Sequence, residues 1–215
     1  MIEDEKRRAA EAAAALVEDG MTVGLGTGTT VAHLLPALAA RGLSGLRCVA
    51  TSPRTEAAAR ALGLPVEPFA LPALDVAIDG ADQVAPDGWL VKGGGGAHTR
   101  ERMVAAAARR FVVIVSSDKP VDALRPPVPL ELLRFGLAST LRRLPGARLR
   151  DGAAPSPDGG AIADLHAPAG PIADPAALAA RLDATPGVVA HGLFAPSLVD
   201  DVLIARGDAV EHRRR

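Results

Sequence analysis

The chain of 215 residues contains no tyrosine, one tryptophan and four phenylalanines, so aromatic side chains make up only 2% of it. Ring stacking is therefore a minor resource, and polar contacts must carry any specificity. Cys48 is the only cysteine, which excludes an internal disulfide and points to a reducing compartment, the cytoplasm. Five scattered histidines lack paired metal-ligand spacing, so no metal is expected. The net charge is −1, without the basic field of a nucleic-acid binder, and the terminal HRRR reads as a solvated end. No apolar run approaches the roughly 20 residues of a membrane span. The start, MIEDEKRRAAEAAAALVEDG, reads as a soluble helix with Ala9, Ala13, Leu16 and Val17 on one face, not as a signal peptide. What remains is an ordinary globular balance, 48% hydrophobic and 23% charged, enough for one domain or one with a smaller companion.

Lysine is scarce as well. Of 24 basic positions all but three are arginine, the exceptions being Lys6, Lys92 and Lys119. Lysine is a compact point charge that the planar guanidinium cannot copy. Lys92 abuts a run of four glycines and Lys119 follows a predicted strand, so functional roles are expected for both.

Short apolar runs, 21-MTVGL-25, 46-LRCVA-50, 74-LDVAI-78 and 111-FVVIV-115, alternate with helical stretches predicted at about 30–41, 54–62 and 99–110. That alternation predicts a parallel sheet covered on both faces, with ligands bound outside the carboxyl ends of its strands. Polar residues follow every run: 26-GTGTT-30, then Thr51 and Ser52, then Asp79 and Asp82, then Ser116, Ser117, Asp118 and Lys119. From about residue 125 the texture becomes Pro/Gly-rich. A small α+β unit is predicted there, with strands near 161–166 and 188–194 and a helix at 175–184. The run 202-VLIA-205 is expected to return to the main sheet.

The loop 24-GLGTGTT-30 joins a strand to a helix. Its glycines let backbone amides turn toward an anion, the helix N-terminus adds its positive end, and Thr27, Thr29 and Thr30 offer hydroxyls. A dinucleotide fingerprint would need a third glycine and an acid near the end of the second strand, and a nucleotide P-loop would need a lysine. All are missing, so a small phosphorylated ligand fits best. Downstream, 79-DGAD-82 and 91-VKGGGGAHTRE-101 gather three carboxylates, a lysine and a glycine turn within 23 residues. Asp79 and Asp82 alone would make a poor cage for magnesium. With Glu101, expected in the first turn of a helix capped by Thr99, the set offers a base, a proton shuttle, an ammonium and amide donors. Those are the requirements of proton abstraction beside a carbonyl. His98 adjoins this set, which has its base and acid without it.

On these motifs the chain resembles ribose-5-phosphate isomerase of type A. The matching segments are 22-TVGLGTGTT-30, 51-TSPRTEAA-58, 74-LDVAIDGADQV-84, 91-VKGGGGAHTRERMVA-105, 116-SSDKPVD-122 and 186-PGVVAHGLF-194, in family order along nearly the whole chain. The resemblance implies a cofactor-free aldose–ketose isomerase acting on a small sugar phosphate, assembled as a homodimer or homotetramer. Glu101 matches the family's general base, and Asp79, Asp82 and Lys92 its polar cluster around the sugar oxygens. Thr27, Gly28, Thr29 and Thr30 match the phosphate loop, Gly93, Gly94, Gly95 and Gly96 the amide donors, and Lys6 and Lys119 the basic residues that hold the ligand. The expected architecture is α/β: a Rossmann-like parallel-sheet domain, 1–125 plus 201–215, with a second, smaller α+β domain, 126–200. Three positions depart from the family: Gln83 where an acid is usual, His98 where an apolar residue is usual, and Arg134 where proline is common.

Three other readings differ in class or ligand. A nicotinamide-dependent oxidoreductase lacks its fingerprint here. A sugar-phosphate sensor coupled to gene regulation would need a DNA-binding segment, for which no room is expected before the first strand. An isomerase of another phosphosugar differs only in ligand.

Overall fold

The computed structural model describes residues 1–167 and 169–214. Its first elements are α1 (Ile2–Ala14), β1 (Thr22–Leu25), α2 (Thr29–Ala40), β2 (Arg47–Ala50), α3 (Pro53–Ala61) and β3 (Val76–Asp79). Then come β4 (Gln83–Val84), β5 (Leu90–Val91), α4 (His98–Ala107), β6 (Phe111–Ser116), β7 (Val128–Leu132), α5 (Leu137–Arg143) and β8 (Ala147–Leu149). The last are β9 (Ala161–Leu165), α6 (Pro175–Asp183), β10 (Val188–His191), β11 (Leu193–Phe194), β12 (Asp201–Arg206) and β13 (Ala209–Arg214). They divide into two units: Met1–Ala81 with Arg100–Lys119 and Ser197–Arg215, and Asp82–Thr99 with Pro120–Pro196. A parallel-sheet core with further antiparallel sheets is the α/β class that the sequence predicts.

The first unit is built on a six-stranded sheet ordered β13-β12-β6-β3-β1-β2, parallel except for the β12–β13 pair. Strands covered on both faces need unbroken apolar runs, and all six residues of β6 are buried. Val23, Leu25, Val76, Ile78, Val112 and Ile114 pack in one cluster with α1 and α2. Ala9, Ala10, Ala13 and Ala14 are the buried small residues of α1, and their size lets its backbone come close to its neighbours. Ser52 caps α3 by accepting from the Thr55 amide at 3.2 Å, with Pro53 at the first helical position. Because β1 lies between β2 and β3, the crossover reverses there. The carboxyl ends of β1 and β3 are thus the switch point where such sheets bind ligands.

His212, Arg213 and Arg214 of the terminal basic run are exposed but belong to a paired strand, and Arg215 lies outside the described residues. Residues 209–214 form the edge strand, paired with β12 through a two-residue turn at Gly207 and Asp208, and Gly207 takes the left-handed φ of 55°. His212 Nε2 meets Asp201 Oδ1 at 2.6 Å. A charged edge of this kind also discourages pairing with a further strand.

Glu5 ties three parts of this unit together, accepting from the amides of Gly207 and Ser117 at 2.8 Å each. These bonds, that of Gly207 foremost, lower its carboxyl from 4.5 to about 2. A depressed carboxyl contributes stability that is fully present above its ordinary value and fades as pH falls toward the folded one. Glu5→Gln should therefore unfold at lower denaturant concentration than wild type at neutral pH. The gap should close on acidification from 4.5 toward about 2; a constant gap across that window would contradict the assignment.

The second unit holds a four-stranded antiparallel sheet, β10-β7-β9-β8, and a three-stranded one, β11-β5-β4. Val128, Leu130, Leu132, Ala163 and Leu165 pack with Leu178 and Leu182 of α6, whose first turn is capped by Asp174 accepting from Ala177 at 2.9 Å. Residues 82–99 fall in this unit because the β4–β5 hairpin pairs with β11, whereas the sequence reading kept them with the first domain.

Candidate active site

In the first unit, β1 ends at Leu25 and the chain turns through Gly26, Thr27 and Gly28 into α2. Gly26 must be glycine: a Cβ there would lie 2.0 Å from Asp79 Oδ1. That close approach lets Asp79, the last residue of β3, reach the loop. Its Oδ1 accepts from the Thr27 amide at 3.1 Å and the Gly80 amide at 2.7 Å, and the residue is only 3% exposed. Thr27 Oγ1 lies 2.8 Å from Thr51 Oγ1. Gly28, with φ of 139°, precedes α2, and no side chain caps that helix. The amides of its first turn are thus left to solvent or an anion. Gly28 and Thr29 are exposed, Thr27 is half-buried and Thr30 is buried.

Other polar groups at this sheet edge serve the fold. Ser52 is a helix cap, and Thr55 donates its hydroxyl to Gly26 O at 2.9 Å. The Ser116 hydroxyl goes to Asp118 and the Ser117 amide to Glu5. Four polar strand ends therefore overstate the site. Lys6 Nζ meets Glu3 at 2.6 Å and Lys119 Nζ meets Asp118 at 3.0 Å. Glu3 is pulled below its ordinary range by Lys6 first and His33 second. Pairs whose carboxylate is open to solvent, as both are here, are weak and readily exchanged. Glu101 stands in the first turn of α4 and is 3% exposed.

In the second unit, β5 leads through Lys92 into the glycine turn. Lys92 is 2% exposed, its amide donates to Gly192 O at 2.8 Å, and its Nζ lies 5.3 Å from the centre of the Phe194 ring. Gly93 and Gly96 take φ of 104° and 73°, and the Gly96 amide closes the turn on Gly93 O at 3.0 Å. The exposed Asp82 accepts the Gly94 amide at 2.9 Å. His98 is fully buried, and a Cβ on Gly93 would lie 2.8 Å from its Nδ1. The ring thus fills the space that a side chain at Gly93 would need.

Three readings are corrected or explained here. Thr99 does not cap α4: the helix already begins at His98, and the Thr99 hydroxyl donates to the buried Glu131, which also accepts from Ser156. Gln83 donates its amide to Arg125 O and accepts the Arg125 amide, both at 2.8 Å. A carboxylate could not make the first of these bonds. Arg134 reaches Gly159 O at 2.9 Å through Nε, a contact denied to proline. The sequence reading missed Arg150, which donates to Gly94 O at 2.8 Å and Gly93 O at 3.3 Å while pairing with Asp164. Among the described residues no group of three or more His, Cys, Asp or Glu side chains could hold a metal ion, and no helix is long and apolar enough to cross a membrane.

The family model of ribose 5-phosphate isomerase A (phosphoriboisomerase A) matches residues 47–209. A model of the DeoR C-terminal sensor domain matches residues 2–60. The ribose-5-phosphate isomerase A of Caulobacter vibrioides is 45% identical over 222 residues, covering 97% of this chain and 96% of its own. That of Roseiflexus castenholzii is 47% identical over 204 residues, covering 88% and 86%. A solved D-ribose-5-phosphate isomerase in complex with phospho-erythronic acid superposes with a TM-score of 0.93 at 33% identity, covering 100% of both chains.

Proposed function

The chain belongs to the ribose-5-phosphate isomerase A family, and from that premise we propose how it interconverts D-ribose 5-phosphate and D-ribulose 5-phosphate. One observation carries the assignment of roles. Asp79, Lys92 and Glu101, within 23 residues of sequence, are only 3%, 2% and 3% exposed. Burying ionisable groups is costly, and buried ionisable groups mark candidates for chemistry.

The phosphate is held by the uncapped first turn of α2 with the hydroxyls of Thr27, Thr29 and Thr30. Lys6 and Lys119 exchange their carboxylate partners for it. Asp79 and Asp82 take and return the hydroxyl protons as the furanose ring opens to the free aldehyde. Glu101 then removes the C2 proton; the C2–H electron pair forms the C1–C2 double bond and the carbonyl pair moves onto O1. The resulting enediolate is stabilised by the Lys92 ammonium and by backbone amides of the glycine turn. Gly94 and Gly96 donate to Asp82 and Gly93 O, so this task falls to the Gly93 and Gly95 amides. Glu101 delivers the proton to C1 as the O2 hydroxyl gives up its proton, which the aspartates return to O1, so that O2 becomes the ketone. No electrons leave the sugar, and the reaction needs no redox cofactor.

The sensor reading is not favoured, because the matching segment, residues 2–60, ends before Asp79. Two finer points belong to the same reading. Copies of the chain associate, for which Phe135 at 94% exposure, with the exposed Leu133 and Val189, supplies apolar surface. The protein works in the cytoplasm, consistent with a lone buried Cys48 whose thiol burial pushes up to about 11.

The test is formation of ketopentose from ribose 5-phosphate with and without a metal chelator. Conversion that the chelator leaves unchanged is expected. Activity lost in chelator and restored by added metal would mean the carboxylates are ligands, and no conversion at all would overturn the substrate.

A further inference from the structure

The geometry points to Arg150 as a positioning residue that sets the direction of the amides in the glycine turn, an inference that rests on the isomerase reading. Glycines at 93–96 give the turn its shape, but the same freedom lets its peptide planes rotate. A loop that can flip its amides away is a poor anion site, since preorganised donors are what accelerate the reaction. Something must choose one orientation.

Arg150 makes that choice from just beyond β8. Its own amide is fixed to Ile162 O at 3.0 Å. Its guanidinium grips Asp164 through two bonds, Nε to Oδ2 at 2.8 Å and Nη2 to Oδ1 at 2.6 Å. This fork–fork pairing fixes the plane of the group. The remaining Nη1 then donates to Gly94 O at 2.8 Å and, more weakly, to Gly93 O at 3.3 Å.

A peptide unit is planar and trans, so the carbonyl of one residue and the amide hydrogen of the next point in opposite directions. Holding Gly94 O therefore aims the Gly95 N–H away from Arg150. Holding Gly93 O likewise aims the Gly94 N–H, which meets Asp82 Oδ2 at 2.9 Å. Arg150 makes no hydrogen bond to either end of the chemistry, although its charge also reaches Asp82. Through two carbonyls it orients one amide toward the developing oxyanion and another toward an aspartate that shuttles protons. A lysine could not replace it, because one ammonium cannot span a carboxylate and two carbonyls in a fixed plane.

The experiment compares wild type with Arg150→Met, Arg150→Lys and Asp164→Asn. The readouts are kcat and KM for ribose 5-phosphate, inhibition by phospho-erythronic acid, and the melting temperature. Since one oxyanion donor is worth about 10²–10³ in rate, a misdirected one should cost roughly 10²-fold in kcat. KM should stay within about threefold, because the phosphate grip lies elsewhere, while inhibition by the anionic acid weakens at least about tenfold. Arg150→Lys should not rescue, and Asp164→Asn should show the same pattern to a smaller degree. Wild-type kcat in Arg150→Met, or a fall with unchanged inhibitor affinity, would overturn the proposal. Should Arg150→Met not fold, Asp164→Asn decides: wild-type kcat there overturns it as well. A wild type that does not turn over ribose 5-phosphate would instead sink the isomerase reading, a separate outcome.

Discussion

Glu101→Gln should lower the rate of ribose 5-phosphate isomerisation by about 10²–10⁴-fold, the usual contribution of a positioned general base. The amide matches the carboxylate in shape but cannot accept the C2 proton. KM should change little, because the groups assigned to the phosphate are Thr27, Thr29, Thr30, Lys6 and Lys119. Folding should survive too. Glu101 lies in the first turn of α4, where its charge favours the helix end by about 0.3–1 kcal/mol, and glutamine keeps the shape of the side chain. The comparison needs progress curves for both proteins and a melting curve to show equal folding. If the variant is as active as wild type, the base is elsewhere, and Asp79 and Asp82 are the next residues to replace.

Lys92→Met is the second large effect, with kcat expected to fall about 10²–10³-fold, as when one donor to a developing oxyanion is removed. Methionine keeps the length and apolar stem, so the contact over Phe194 remains while the charge goes. The ammonium–ring contact at 5.3 Å is of a kind worth about 0.5–2 kcal/mol. Against it stands the cost of keeping an ammonium at 2% exposure. Activity should collapse while a melting curve still shows cooperative unfolding. Lys92→Arg should not restore the rate, because the larger guanidinium must be fitted into a packed position and presents its donors in a plane. A variant that is less stable but fully active would show that Lys92 serves the fold.

Much of this was legible in the residues because the signals were local. Apolar runs separated by helical stretches gave β1, β2, β3 and β6, and the motifs around Asp79, Lys92 and Glu101 stand out by their spacing. What stayed hidden depended on partners far along the chain. The strands β4 and β5 have two residues each and exist through pairing with one another and, for β5, with β11, which the sequence reading ran together with β10 as one strand. The strand β7 reads as a loop because it contains Pro129 and Glu131, yet all five of its residues are buried. The edge strand β13 hides behind exposed charge. Thr99 looked like a cap until Glu131, 32 residues away, took its hydroxyl. Arg150 was one arginine among many, and only the fold sets it against the carbonyls of Gly93 and Gly94.

The central claim is that a carboxylate moves a proton between C2 and C1, and hydrogen exchange with solvent tests it most directly. Wild-type protein would be incubated with ribose 5-phosphate in deuterium oxide and followed by proton NMR through many turnovers. The account predicts ribulose 5-phosphate formation with deuterium accumulating at C1 of the ketose and C2 of the recovered aldose, since a proton held on Glu101 exchanges between turnovers. Ketose that forms while retaining all of its original hydrogen after many cycles would mean a direct hydride shift and would contradict the account.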